Sequence, residues 1–255
     1  MDPQLPHNGK RVAISQSNYI PWIGYFDLIQ KANVFVFLDD VQYTKSDWRN
    51  RNRIKTDVGP LWLTIPCGVG INRLICEVQI ESKHWQQKHW KTIQQYYHRA
   101  PFYEMGASFF KNVYLDRVWT NLSELNQYLI QAISKQFLDI HTGFLDSRHF
   151  QCTYKKQERI LEILEKIGGV SEYLSGPKAS DYLDESEFIK RNMVLTFMDY
   201  SGYPPYKQLY GDFIRRMSIL DLIFNLGPAA SDYMKRLKQP SSPDIGQIEP
   251  CKKKS

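Results

Sequence analysis

The sequence predicts an α/β fold, a Rossmann-like and mostly parallel sheet carrying a helical insertion. Three observations point there. A strand, a helix and a second strand fit within about thirty residues, Arg11 to Leu38, the spacing of a βαβ unit whose strands must pair in parallel. Strand-like runs return late in the chain, at 170–174 and 194–198, the first of them directly after a helical pattern. Between them, from Trp85 to Leu138, apolar residues recur every three or four positions, so the helical block interrupts a strand-bearing framework.

Taken in order, Arg11-Val12-Ala13-Ile14-Ser15-Gln16 reads as a short buried strand. A loop with Asn18, Tyr19 and Pro21 follows, and Trp22, Tyr25 or Phe26, and Ile29 mark a short helix with Pro21 at its first turn, where a missing N–H costs nothing. Val34 to Leu38 is a strand buried on both faces that stops at Asp39-Asp40. Leu61 to Pro66 reads as a third strand, and Ile75 to Ile80, alternating at Val78 and Ile80, as a fourth. Trp85, His89, Ile93, Tyr96 or Tyr97 and Ala100 form one helical stripe, halted by Pro101. Val118, Leu122, Leu125, Leu129, Ile133 and Phe137 form a longer one, and 160–167 a third, ended by Gly168-Gly169. Ser218 and Asp221 have capping-box spacing ahead of an apolar, buried helix reaching Gly227-Pro228. No internal repeat is present. The expected organisation is a single α/β domain over 10–235, a helical insertion at about 84–140 and a flexible tail at 236–255.

With 255 residues, 42% hydrophobic and 24% charged, the chain is long enough to bury a core and has the composition of a globular protein. The longest apolar run, Val34 to Leu38, is too short to span a bilayer, and the first ten residues hold no apolar signal segment. The four cysteines show no C-x-x-C pairing, so no metal site and a reduced, cytoplasmic location are expected. Lys252 to Lys254 supply three of the six net positive charges; the rest is too little for specific DNA binding.

Chemistry-bearing residues gather at predicted strand ends. Gln16, Asn18, Tyr19, Trp22 and Gly24 lie between the first strand and a helix N-terminus, a place that favours anions. Trp22-Ile23-Gly24-Tyr25 stands where nucleotidyltransferases carry His-Ile-Gly-His; a relation to that class is expected of the fold, while the missing histidines argue against its chemistry. Asp39 and Asp40, at the same sheet edge, could act as a base or bind hydroxyls, and the same pair also suits a turn. From Lys45 to Lys55 there are five basic residues and one acid. There, Arg49, Arg51 and Arg53 alternate with Asn50 and Asn52 beside Trp48, a pattern for binding phosphate oxygens, although charge runs are often only solvated loops. Ser175, Gly176 and Lys178 could cradle phosphate at another strand end or simply turn. His84 is a further acid/base candidate, and Tyr206 and Gln208 belong to an aromatic loop able to stack on a sugar or base.

These segments together resemble the bacterial WbqC-like family. The match rests on Gln16 to Asp27, Phe37 to Gln42, Trp48 to Ile54, Trp62 to Pro66, Tyr173 to Pro177, Tyr182 to Asp184, Pro205-Tyr206 with Gln208, and Ser218 to Gly227, spanning roughly 10–235. The resemblance implies a role in O-antigen and related lipopolysaccharide or surface-glycan biosynthesis, as a transferase placing an acyl or aminoacyl group, such as glycyl, on a nucleotide-linked amino sugar. The donor stays open between a coenzyme A thioester, a carrier protein, a charged tRNA and an ATP-activated amino acid; no cofactor is assigned. Nucleotidyl or glycosyl transfer, and non-catalytic sugar-nucleotide binding, are the competing expectations.

Overall fold

The computed structural model describes residues 9–236. Five parallel strands form the central sheet: β1 (Lys10–Ser15), β2 (Val34–Phe37), β5 (Gly143–Asp146), β6 (Val170–Ser175) and β7 (Val194–Phe197), in the order β5-β2-β1-β6-β7. The α/β, Rossmann-like expectation holds. A relation to His-Ile-Gly-His nucleotidyltransferases does not follow, because this topology serves many chemistries. The chain winds outward from β1 through β2 to β5, then returns to lay β6 and β7 on the other side of β1. The order therefore reverses between β1 and β6, and in such sheets ligands bind in the crevice beyond the strands' carboxyl ends at that reversal.

Alternation along the strands gives the sheet two apolar faces. Val12, Ile14 and Val36 pack under α5 (Lys156–Ile167) and α6 (Glu185–Ile189), with Tyr173 stacked on Phe188 at a centroid distance of 5.5 Å. Ala13, Phe35, Phe37 and Leu174 face the larger core, which holds α1 (Ile23–Lys31), the helices α2 (His84–Tyr97), α3 (Tyr103–Lys111) and α4 (Leu122–Phe137), and α7 (Ile219–Leu226) with α8 (Ala229–Arg236). The α2–α4 block lies between β2 and β5 in the chain, where the helical insertion was expected.

Several local expectations are corrected. Residues 61–66 do form a strand, β4 (Gly59–Thr64), but it pairs antiparallel with β3 (Arg51–Thr56) in a separate hairpin and leaves the main sheet alone. Ile75 to Ile80 is not a strand: Ile75–Glu77 is a 3-10 turn, and the alternation serves to bury Ile75 and Val78 in the core. Strand β5 and helix α3 carry patterns too short or too interrupted to stand out. Val118 is exposed, and α4 starts only at Leu122, capped by the Asn121 side chain accepting from the Glu124 N–H at 3.0 Å. Pro21 lies outside α1, where its carbonyl accepts the Ile219 N–H. The Ser218–Asp221 capping box does not form; Ser218 occupies the cap position of α7 without a side-chain cap bond, and Asp221 turns into the core. Gly168 ends α5 as expected, with φ of 67°. The tail with Lys252 to Lys254 lies outside the described residues.

Candidate functional site

The exit of β1 lies at the reversal of strand order. Gln16 and Asn18 present their side-chain oxygens to Arg49, which stands in the turn before β3: Nη1 donates to Asn18 Oδ1 at 2.6 Å and Nη2 donates to Gln16 Oε1. Asp47 lies 3.7 Å from the same guanidinium. Burial alone would raise the Asp47 carboxyl, but Arg49 and the Trp48 N–H outweigh it and hold the group ionised below its usual range. The Arg49 side chain stays 16% exposed, its guanidinium is oriented by the two amide oxygens, and its buried Nε has no partner among the described residues. The hairpin is clamped over this loop. Asn52 Nδ2 donates to the Tyr19 and Ile20 carbonyls at 3.1 and 2.8 Å, and the Tyr19 N–H donates to the Trp48 carbonyl at 2.9 Å. Ile20 needs such fixing, because its φ of 35° is rare for a β-branched residue.

Asp39 lies beneath. It has no exposed surface and accepts from the Ser17 N–H at 2.8 Å, Ser123 Oγ at 2.5 Å and Gln127 Nε2 at 3.2 Å. A base must reach the proton it removes; the Asp39 carboxylate instead ties β2 and α4 to the loop that carries Gln16 and Asn18. Asp40 points elsewhere, accepting from Ser147 Oγ at 2.5 Å and pairing with Arg159 of α5. Gln127 also donates to Asp146 at 3.0 Å, and Asp146 receives a two-pronged bond from Arg148. Burial would raise Asp146, but the Arg148 fork and the Gln127 amide hold it down. Among the described residues, no three His, Cys, Asp or Glu side chains come together as a metal-ligand set.

The remaining expected site residues divide. Arg51 and Arg53 make no bond to Gln16 or Asn18; they lie over the Trp62 ring at 4.4 and 5.4 Å, with Trp48 6.0 Å from Arg53. Asn50 is buried and donates to the Ile65 carbonyl at 3.0 Å. Tyr19 has no exposed surface; its hydroxyl lies 2.9 Å from His89 Nδ1 and 2.5 Å from the Tyr114 hydroxyl. Gly24 leaves room for the Trp22 indole, since a Cβ there would meet that ring at 2.3 Å; the closeness serves packing and not a phosphate. Ser175 ends β6 and Gly176 follows across the reversal from Gln16, with Lys178 exposed at that edge. His84 is exposed at the start of α2. Tyr206 and Gln208 both donate to the buried Asp221 carboxylate at 2.7 Å, which fixes their polar ends.

Other participants escaped the sequence. Ser123, Asn126 and Gln127 come from α4, and Asn126 donates to the Arg49 carbonyl at 2.8 Å. Their signal is present in hindsight, as polar side chains on the face of a helix whose Leu122, Leu125 and Leu129 are buried. Tyr25 joins from α1, donating to the Gln16 carbonyl at 2.9 Å; burial and the nearby Asp39 charge raise its pKa well above the ordinary value, while Arg49 pulls the other way.

The topology and its reversal point define a doubly wound α/β protein with an arginine hydrogen-bonded at the β1 strand end. Its family is also defined: the model of the WbqC-like protein family matches residues 16–233, and the chain belongs to that family. It is 43% identical over 232 residues to Rv1507c of Mycobacterium tuberculosis (strain ATCC 25618 / H37Rv), a protein described as uncharacterized; the match covers 90% of this chain and 100% of that one. No solved structure matches. Among the described residues, no helix is long and apolar enough to cross a membrane.

Proposed function

We propose that the protein binds a nucleotide-linked amino sugar in the crevice between β1 and β6 and transfers an acyl or aminoacyl group to its amine, in the cytoplasm, during surface-polysaccharide assembly. The observation that carries this reading is Arg49, oriented by Gln16 and Asn18 at the reversal point while keeping exposed surface. A diphosphate placed there meets a preset guanidinium, and Lys178 at the β6 edge adds a second cation. In acyl transfer the sugar nitrogen would attack the activated carbonyl, the amide bond would form, and the donor's leaving group would depart with the amine proton. Asp39 then acts as a positioning residue rather than the base. Asp40 is held by Ser147 and Arg159, which leaves His84 as the candidate for proton removal.

One observation favours a second reading, a sugar-nucleotide-binding protein without turnover: Asp39 and Asp40 both have their oxygens engaged within the protein. Mass spectrometry of nucleoside-diphosphate amino sugars, incubated with the protein and activated acyl or aminoacyl donors, separates the two. A mass gain equal to the acyl group supports the transferase. Tight binding of the sugar nucleotide with no mass change under every donor supports the binding protein, and release of pyrophosphate or nucleoside diphosphate would overturn acyl transfer in favour of nucleotidyl or glycosyl transfer.

A further inference from the structure

Between β7 and α7 the chain runs from Met198 to Ser218 without a regular element. Loops of that length inside a compact fold usually carry function. This one folds back on Trp22, at the head of α1, and encloses a pocket whose walls include Trp22, Tyr200, Tyr203, Tyr206 and Phe213.

The walls are preset. The Tyr203 hydroxyl donates to Asp27 at 2.7 Å, the Tyr206 hydroxyl to Asp221 at 2.7 Å and the Tyr233 hydroxyl to the Pro204 carbonyl at 2.6 Å, so the rings are anchored from behind. Tyr200 crosses Trp22 edge to face at 5.2 Å. Two other residues of the lining carry hydroxyls with no hydrogen-bond partner among the described residues. Ser218 Oγ is buried with no hydrogen-bond partner, and Tyr200 makes no hydrogen bond among the described residues. At the rim, the Arg216 guanidinium lies 5.8 Å from the Trp22 ring and forms no ion pair with a described carboxylate. The pocket is tied to the β1 exit through α1: the Tyr25 N–H donates to the carbonyl of Trp22, which lines the pocket, at 3.0 Å, and the Tyr25 hydroxyl donates to the Gln16 carbonyl at 2.9 Å.

The pocket has a cavity volume of about 110 Å³. That is of the same order as the ~150 Å³ apolar cavity that takes a benzene ring, so the pocket suits one ring better than a fused pair. Aromatic walls suit a flat π-face, and free hydroxyls suit the carbonyl and N–H edge of such a ring. We propose that this pocket is the nucleobase subsite, taking a pyrimidine whose diphosphate extends to Arg49, with Ser218 and Tyr200 meeting the base edge. The proposal rests on the sugar-nucleotide reading above and adds to it the place and kind of the base.

Calorimetry on the full chain tests the two separately, with uridine diphosphate, thymidine diphosphate, adenosine diphosphate and inorganic pyrophosphate as probes. The pyrimidine nucleotides should bind at least about tenfold more tightly than pyrophosphate and than adenosine diphosphate. Phe213→Ala should erase most of that advantage and leave pyrophosphate unchanged. Ser218→Ala, nearly the same shape and losing no existing bond, should weaken the pyrimidine nucleotides several-fold in a protein that unfolds at the wild-type temperature. Pyrimidine nucleotides binding no better than pyrophosphate would overturn the subsite and leave the phosphate crevice standing, as would full affinity in both variants. Adenosine diphosphate binding equally well would overturn the single-ring choice. Failure of every probe to bind would remove the crevice reading and the subsite with it.

Discussion

Arg49 is the residue whose placement matters most, because its charge is aimed by neutral amide oxygens and is only distantly matched by Asp47. Replacing it by alanine should weaken pyrophosphate binding by about 1.5–3 kcal/mol, the range for a hydrogen bond to a charged group. Arg49→Lys should recover part of this, since the charge returns without the fork; equal affinity of all three proteins in calorimetry would exclude contact. Asp39→Asn keeps the shape but turns one acceptor oxygen into a donor facing Ser123 or Gln127, so thermal unfolding should report a loss of about 1–3 kcal/mol. His89 sets a pH dependence. It lies among Tyr19, Tyr114, the Thr64 carbonyl and Lys88, and burial pushes its pKa down to about 4 despite the bond to Thr64. Its folded pKa is below that of a free imidazole, so as pH falls the unfolded chain takes the proton first. Its contribution is complete above about pH 6.5, is lost between about 6.5 and 4, and totals about 3 kcal/mol. Asp221 tilts the other way, because burial raises its carboxyl and its share declines as pH rises. His89→Gln should therefore flatten the fall in melting temperature between pH 7 and 4, and an unchanged slope would contradict the assignment. Gln16 and Asn18 were singled out by strand-end position and Arg49 by the alternating basic segment, and only the structure joins the two sets by hydrogen bonds; Tyr19 and Asn50 carry the same signatures but turn inward, which residue type alone does not reveal.

Elements decide which of these residues can meet. The β3–β4 hairpin was visible in outline, as an extended basic segment followed by an apolar run, but nothing in either run told that they pair with each other and not with the main sheet. Once paired, alternation sends Asn52 inward to the β1–α1 loop and Arg51 and Arg53 outward to Trp62. Helix α4 was legible as a helix from its apolar stripe, while its contribution to the crevice was hidden because Ser123 and Asn126 resemble ordinary surface positions until the packing partner is known. β5 was missed for a simpler reason: four residues, Gly143 to Asp146, are too few to show a period. The hairpin's clamp yields a prediction at this scale. Asn52→Ala removes both bonds to the loop, and stability should fall by about 1–3 kcal/mol in denaturant unfolding. Pyrophosphate affinity should fall as well, although Asn52 touches no ligand, because Gln16 and Asn18 lose their fixed frame. A variant with lowered stability and unchanged affinity would show that the loop holds its shape without the hairpin.

Over the whole molecule the sheet is covered on both faces, so only its edges and strand ends meet solvent, and function is confined to them. That much follows from a sequence reading of alternating strands and helices; the position of the reversal between β1 and β6 does not, because strand order is a matter of distant pairing. Charge is distributed with the same bias. The 45–55 segment holds five bases against one acid within a chain whose net charge is +6, and the structure fastens that segment to the β1–α1 loop through the Tyr19 N–H and the Asn52 amide. Arg49 is bonded to Gln16 and Asn18, whereas Arg51 and Arg53 are stacked on Trp62, from where they would act on a polyanion through the field they set up. Contact and field respond differently to salt. At about 0.05 M salt the screening length is ~14 Å, and at about 0.5 M it is ~4 Å. The Arg51→Ala/Arg53→Ala double variant should therefore bind pyrophosphate several-fold more weakly than wild type at low salt and nearly equally at high salt. Arg49→Ala should remain weaker at both. A double variant that is weaker by the same factor at both salts would mean that the hairpin arginines swing in to touch the phosphates, and the crevice would then extend over the hairpin's outer face.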